Sequence, residues 1–282
     1  MNDSEMSSVD LRCGTIHYRD IGSGPSLLFV HGVFTNGDLW NAVLPRMSAR
    51  FRCIVPTLPL GAHADPMRPD ADLSPRALAG ALLELLDKLD VRNVTLVGND
   101  TGGALCQLAL AQSPQRVTGI VLTNCDAFED FPPRALRPLY AATHLPGFFW
   151  LMARLLRVGV VRRLFFASVA RSQPDPAFLA SSLEPFVRDA RIRRDVQKTM
   201  RAVSKRDTLA AAETFGSFDG SALIVWGTGD LFFSTKLANR LANTFRRAHL
   251  EVVSGARTFV PLDAPEVLAD LLERFVAAPS FA

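Results

Sequence analysis

The segment Val97-Gly98-Asn99-Asp100-Thr101-Gly102-Gly103 joins the apolar run Val94–Gly98 to the amphipathic run Gly102–Gln112. Read as strand, turn and helix, it sets Asp100 between glycines two positions before and two positions after it. A turn this tight leaves no room for flanking side chains, so glycine is needed there. The pattern is that of a nucleophile elbow. The central side chain stands above the sheet, and the helix N-terminus behind it favours negative charge. The better-known elbow carries serine, which attacks acyl carbon. A carboxylate attacks saturated carbon bearing a leaving group, such as a halide or an epoxide oxygen, and the resulting ester must be hydrolysed. An Asp-Thr-Gly-Gly turn can also simply cap a helix; the position between strand and helix favours the functional reading.

Outward from the elbow, short apolar runs alternate with amphipathic ones, as in a parallel sheet covered by helices. The strands expected are Leu11–Arg19 at an edge, Ser26–Val30, Phe51–Val55, Val94–Gly98, Val117–Thr123, Ala222–Trp226 and Leu250–Val253. The helices expected are Asp38–Ala49 with Asp38 as cap, Ser74-Pro75 to about Leu89, Gly102–Gln112, Ser234–Thr244 and Pro265–Ala277. Between about Asp126 and Phe218 the alternation breaks into helix-like, basic sequence rich in Phe and Pro. The expected organisation is an α/β core of residues 1–125 and 219–282 with a helical insertion at 126–218.

The 282 residues, 48% of them hydrophobic, suffice for a sizeable core. Net charge is only +3, but residues 131–206 hold 15 Lys/Arg against 4 Asp/Glu. Such asymmetry can attract anionic partners; a solvated helical surface also produces it and is preferred, so no nucleic-acid partner is expected. Cys13, Cys53, Cys106 and Cys125 lack paired or metal-type spacing, and the chain starts polar and acidic, which suits a reduced, cytoplasmic setting. The most hydrophobic stretch, Leu145 to Ala170, carries four arginines, against a spanning helix. No metal-ligand cluster or phosphate-binding glycine loop is present, so neither metal nor cofactor is expected.

His31-Gly32-Val33-Phe34 follows the second buried strand, where a backbone amide of Val33 or Phe34 would form half of an oxyanion hole. Thr101 would supply the other half. His31 reads as a turn-stabilising residue beside the substrate rather than an acid or base. Trp226-Gly227-Thr228-Gly229-Asp230 ends the strand after the insertion. There Asp230 would orient a catalytic histidine, although Gly-Thr-Gly-Asp is also an ordinary turn.

On His31-Gly32, the elbow, the insertion and Trp226–Asp230, the chain resembles the α/β-hydrolase superfamily, in the branch with haloalkane dehalogenases and epoxide hydrolases. The resemblance implies a helical cap that closes the site, and a histidine in a segment like Gly-x-x-His-Phe before a Pro-Glu helix. Here Gly255-Ala256-Arg257-Thr258-Phe259 precedes Pro265-Glu266, with Thr258 at the histidine position. Threonine cannot take a proton from water near neutral pH. His63, on a loop after a strand's C-terminal end, is the best candidate for a relocated base, and His144 in the cap is second. Haloalkane dehalogenases usually carry tryptophan and asparagine where Thr101 and Val33 stand, so the halide site looks absent. Epoxide hydrolases use cap tyrosines as proton donors, and Tyr140 is the one tyrosine in this cap.

Cap residues such as Phe148, Phe149, Trp150, Phe165 and Phe166 suggest an apolar pocket for a bulky hydrophobic molecule, with Tyr140, His144, Trp150 and Thr258 among its contacts. Interleaved arginines also fit a helix on a membrane surface. That reading ranks lower, because a cap needs an outer polar face anyway. The expected function is hydrolysis of an epoxide- or ester-like apolar small molecule by a monomer or homodimer, with Asp100 as nucleophile or acid/base. A lyase, isomerase or cyclase using the same pocket, or a catalytically silent ligand-binding member, is the alternative.

Overall fold

Strands covered on both faces carry uninterrupted apolar runs. In the computed structural model, which describes residues 6–277, Leu27 to Val30 are wholly buried. They lie in the third of eight strands: β1 Ser7–Leu11, β2 Gly14–Ile21, β3 Ser26–Val30, β4 Arg52–Thr57, β5 Val94–Asp100, β6 Val117–Cys125, β7 Ser221–Gly227 and β8 Ala248–Val253. Their order in one sheet is β1-β2-β4-β3-β5-β6-β7-β8. β2 pairs antiparallel with β1 and β4, and the remaining pairs are parallel.

The α-helices of the described residues are α1 Leu44–Met47, α2 Pro75–Lys88, α3 Thr101–Gln112, α4 Arg137–Ala142, α5 Phe148–Leu155, α6 Gly159–Val169, α7 Pro176–Arg188, α8 Ala190–Ala202, α9 Lys205–Ala212, α10 Thr235–Thr244, α11 Val260–Asp263 and α12 Pro265–Ala277. Side chains alternate across the sheet. Leu96, Ile120 and Ile224 pack with α2, α3 and α10, whereas Val97, Val121 and Leu223 pack with α1 and α12. The expected α/β architecture, a mostly parallel sheet covered by helices, is therefore observed.

Ser74 caps α2 by accepting from the Ala77 amide, with Pro75 at the first helical position, as its sequence implies. Three local readings differ. The expected first strand is a hairpin, β1 and β2, turning at Arg12-Cys13. The expected helix from Asp38 is split into a 3-10 turn, Gly37–Trp40, and α1, because Pro45 lacks an amide to continue the ladder. Asn36, not Asp38, caps that turn.

Between β6 and β7 the chain is helical, α4 to α9. Phe34, just after β3, packs edge-on against Phe165 of α6 and Phe186 of α7, at 5.8 and 5.0 Å between ring centroids. Phe259, after β8, meets Phe166 at 6.3 Å. These rings seat the helices over the loops that end the strands. α9 instead packs on α3, and Ala211, Ala212, Phe215 and Phe218 join the core. The segment after Ala202 therefore belongs beside the sheet, inside the 218 boundary drawn from sequence.

Candidate active site

Asp100 is the last residue of β5 and takes φ 54°, ψ −131°, a strained conformation for a residue with a Cβ. The glycines around it make room. A Cβ on Gly98 would lie 2.6 Å from Gly103 Cα and 2.8 Å from Cys106 Sγ, and one on Gly32 would lie 2.6 Å from Asp100 Cβ. The Asp100 side chain makes no capping bond to α3. The Thr101 and Val33 amides lie close enough to its carboxyl to favour the ionised form. Burial raises this carboxyl to about 7; the Thr101 amide opposes the rise, the Asp230 charge adds to it, and the Val33 amide opposes it again.

Phe34 was the alternative oxyanion donor, but its amide is bonded to the Leu60 carbonyl at 2.8 Å. Only its ring reaches the site. Val33 and Thr101 supply the two amides.

A second carboxyl, missed in the sequence, stands beside the first. Asp126 is buried directly after β6, and Oδ2 accepts from the Thr101 hydroxyl at 3.2 Å. Oδ1 has no partner. Burial, and then the Asp100 charge, raise its carboxyl well above the ordinary range and so favour its protonated form. Gln107 Nε2 donates to its backbone carbonyl at 2.8 Å and fixes its place. Tyr140 completes the group: its phenol partners the Thr101 hydroxyl, and burial together with the charges of Asp126 and Asp100 raises it well above its ordinary value. The ring edge is half-buried while the hydroxyl end is enclosed.

Asp230 lies at the end of β7. Its Oδ1 accepts from the Phe232 and Phe233 amides at 2.7 and 3.0 Å, and Oδ2 accepts from Asn124 Nδ2 at 2.7 Å. Burial nevertheless raises it. The buried Thr258 hydroxyl lies close enough to favour the ionised Asp230, yet it has no well-formed hydrogen bond. Asn99 holds the segment by donating to the Thr258 carbonyl at 2.7 Å.

Asp100, Thr101, Asp126, Tyr140 and Thr258 border one cavity of about 170 Å³, and Asp230 stands behind its wall. Asp100, Thr101, Asp126 and Thr258 form its polar part; Phe34, Tyr140, Phe165, Met200, Phe233 and Phe259 are among its apolar walls. Drug-sized pockets run roughly 300–1,000 Å³. The cavity is smaller than the bulky ligand expected from the sequence would fill.

Four histidine and tryptophan assignments are corrected. His63 is 2% exposed and absent from the cavity wall. Its Nδ1 accepts from the Gly61 amide, so Nε2 carries the proton toward Asp195 Oδ2, 3.3 Å away on α8. That ring ties a loop to the cap and is no base for the site. His31 is wholly buried; Nδ1 donates to the Gly32 carbonyl at 2.8 Å and Nε2 accepts from the Leu58 amide at 2.9 Å. Burial lowers it to about 4, so it is a neutral turn brace that touches no substrate. His144 is exposed, and Trp150 is 58% exposed on the outer face of α5, both off the cavity wall. Asp126 could have been found from its place, one residue beyond the β6 strand end at the edge where ligand crevices form.

Residues 25–265 match the family described as alpha/beta hydrolase fold. Haloalkane dehalogenase 2 of Mycobacterium tuberculosis is 28% identical over 273 residues, covering 93% of this chain and 92% of that protein. Haloalkane dehalogenase DbeA from Bradyrhizobium elkani superposes with a TM-score of 0.79 at 20% identity, covering 97% of each chain. The epoxide hydrolase CorEH superposes with a TM-score of 0.81 at 18% identity, covering 97% of this chain and 98% of that one. The two superpositions speak to the fold. The match over residues 25–265, which takes in strands β3 to β8 and the elbow, makes the chain a member of the α/β hydrolase fold family.

Proposed function

We propose that the chain hydrolyses a small apolar epoxide, with Asp100 as the attacking carboxylate. One observation carries this reading. Asp100 sits between the Val33 and Thr101 amides at a small apolar cavity, and next to it a second carboxyl, Asp126, buried with Oδ1 unpartnered, is pushed toward its protonated form. A nucleophile and an acid are thus set side by side by their environments, the arrangement that ring opening needs.

Asp100 attacks a ring carbon and the carbon–oxygen bond breaks. The ring oxygen takes a proton from the Asp126–Thr101–Tyr140 group, leaving a hydroxyalkyl ester on Asp100. Water then adds to the ester carbonyl carbon. The two amides hold the oxyanion, and the water proton passes by way of the Thr258 hydroxyl, which borders the cavity, to Asp230 behind it, which returns it by the same route to the departing alkoxide. A diol leaves, and the carboxylic acid left on Asp100 returns a proton to Asp126. With Thr258 in place of an imidazole, Asp230 is the only base for the second step, which makes ester hydrolysis slow and rate-limiting.

The test is intact-protein mass spectrometry after incubation with 1,2-epoxybutane. The chain is expected to gain the mass of one epoxide, the Asp100→Asn variant to gain none, and the adduct to map to Asp100. Neither adduct nor diol from this or other small epoxides would overturn the proposal. A second reading is favoured by the Asp100 carboxyl titrating near 7, which suits proton transfer in a lyase, isomerase or cyclase. Turnover that depends on Asp100 but forms no adduct and incorporates no oxygen from labelled water would select it.

A further inference from the structure

A helix between a core and water is apolar on one face and polar on the other. α5 departs from this. Phe149, Ala153 and the adjoining Leu156 are buried, yet the outer face presents Trp150, Leu151 and Leu155 at 58, 52 and 50% exposure. At 3.6 residues per turn, positions 150, 151, 154 and 155 span an arc of about 140°. The apolar surface continues through Val158 and Val160 to Leu164 on α6, which is 67% exposed. The outer polar face expected of the cap is therefore not what the structure presents.

The segment that carries this surface has charge of one sign. Residues 131–174 contain seven arginines and no Asp or Glu. Arg154, Arg157 and Arg163 are exposed among the apolar side chains, and the Arg154 guanidinium lies 5.2 Å from the Trp150 ring centroid. Tryptophan and arginine together on an apolar face are suited to the boundary between lipid headgroups and acyl chains.

We infer that this outer face of α5 and α6 docks the protein on an anionic lipid bilayer. Charge decides between this and the obvious competitor. A two-fold contact with a second copy places a patch against itself, which here would set Arg154, Arg157 and Arg163 against their own copies, whereas the neighbouring acid Glu184 is already paired with Arg162 at 2.7 Å. An anionic headgroup surface attracts the same residues, while the leucines and Trp150 enter the boundary layer. The inner face of α6 contributes Phe165, Ser168 and Val169 to the cavity, so docking would bring the cavity to within one helix of the bilayer. The inference does not depend on the reaction assigned to Asp100.

The experiment uses the full chain with vesicles of phosphatidylcholine, with or without phosphatidylglycerol. Trp40 and Trp226 are wholly buried, so Trp150 alone reports on the outer surface. The expected result is co-sedimentation with the anionic vesicles, weakened by salt, with a blue-shifted Trp150 emission quenched by brominated acyl chains. Leu151→Ser, Leu155→Ser and Leu164→Ser combined should lower partitioning tenfold or more without altering the thermal midpoint. Arg154→Glu with Arg157→Glu gives an independent check and should do the same. No partitioning at low ionic strength overturns the inference, as does partitioning that neither variant reduces. So does a dimer in sedimentation velocity that either variant dissociates, since a second copy would then cover the face.

Discussion

Thr258 carries a hydroxyl that is buried without a good partner, a state that costs about 1–3 kcal/mol. It borders the cavity and Asp230, whose remaining hydrogen bonds come from two amides and Asn124. An imidazole there would donate to Asp230 and present its other nitrogen to water. Thr258→His is accordingly expected to speed decay of the Asp100 ester tenfold or more in single-turnover mass spectrometry, with the alkylation step unchanged; an unaltered decay would remove position 258 from the water route. Asp100, Thr101 and Thr258 were legible because motif flanks locate them. Asp126 was legible only in part, since its place just past a strand end marks the crevice edge but nothing in an apolar strand end announces that the next side chain turns inward. His63 was misread for a related reason. Its loop follows a strand end, as a catalytic residue would, but its direction is set by Asp195, 132 residues away. Spacing along the chain carries no trace of that pairing.

Among the elements, the strand and helix bounds were legible where packing imposes a single period. Ser26–Val30 and Pro265–Ala277 fall at the positions read from sequence. The expected helix after Asp38 failed where Pro45 interrupts it, and the β1–β2 hairpin hid inside a single apolar run. How the cap is joined to the core was also invisible, because the joining bonds are made by backbone amides. Asp263, at the end of α11, accepts from the amides of Arg171, Ser172 and Arg257 at 2.7–2.8 Å, and the Phe259 amide donates to the Val169 carbonyl at 2.9 Å. One carboxylate thus fixes both the end of α6 and the segment carrying Thr258. Asp263→Ala should cost roughly 1–3 kcal/mol by loss of bonds to a charged acceptor. It should also raise KM for a small epoxide more than it lowers kcat, because it loosens cavity walls rather than the elbow. Urea unfolding and steady-state kinetics on one preparation would separate the two effects, and an unchanged KM would show the cap held by its aromatic contacts alone.

For the molecule as a whole, stability between pH 7 and 8.5 is set by few groups. Paired carboxylates such as Glu129, Glu184, Asp189 and Glu273 are lowered by their arginines, so they are ionised in both folded and unfolded chains throughout this window and contribute no slope. His31, lowered to about 4, is neutral in both states above about 7. Asp126 behaves differently. Its folded value lies well above the ordinary one, so the native chain keeps a proton that the unfolded chain has lost. Stability from such a group is complete below the unfolded value and is lost as pH climbs toward the folded value, at about 1.4 kcal/mol per pH unit. Asp100, raised to about 7, finishes contributing near the start of the window. Unfolding free energy should therefore fall as pH rises through this window. Asp126→Asn keeps the shape without the titration and should remove its share of that slope, leaving the part due to the thiols of Cys13, Cys53, Cys106 and Cys125, which burial also raises, and making the variant relatively more stable at the alkaline end. Urea titrations of both proteins at the two pH values measure this directly, and parallel slopes would mean that Asp126 is already ionised in the native chain and cannot be the acid of the ring-opening step.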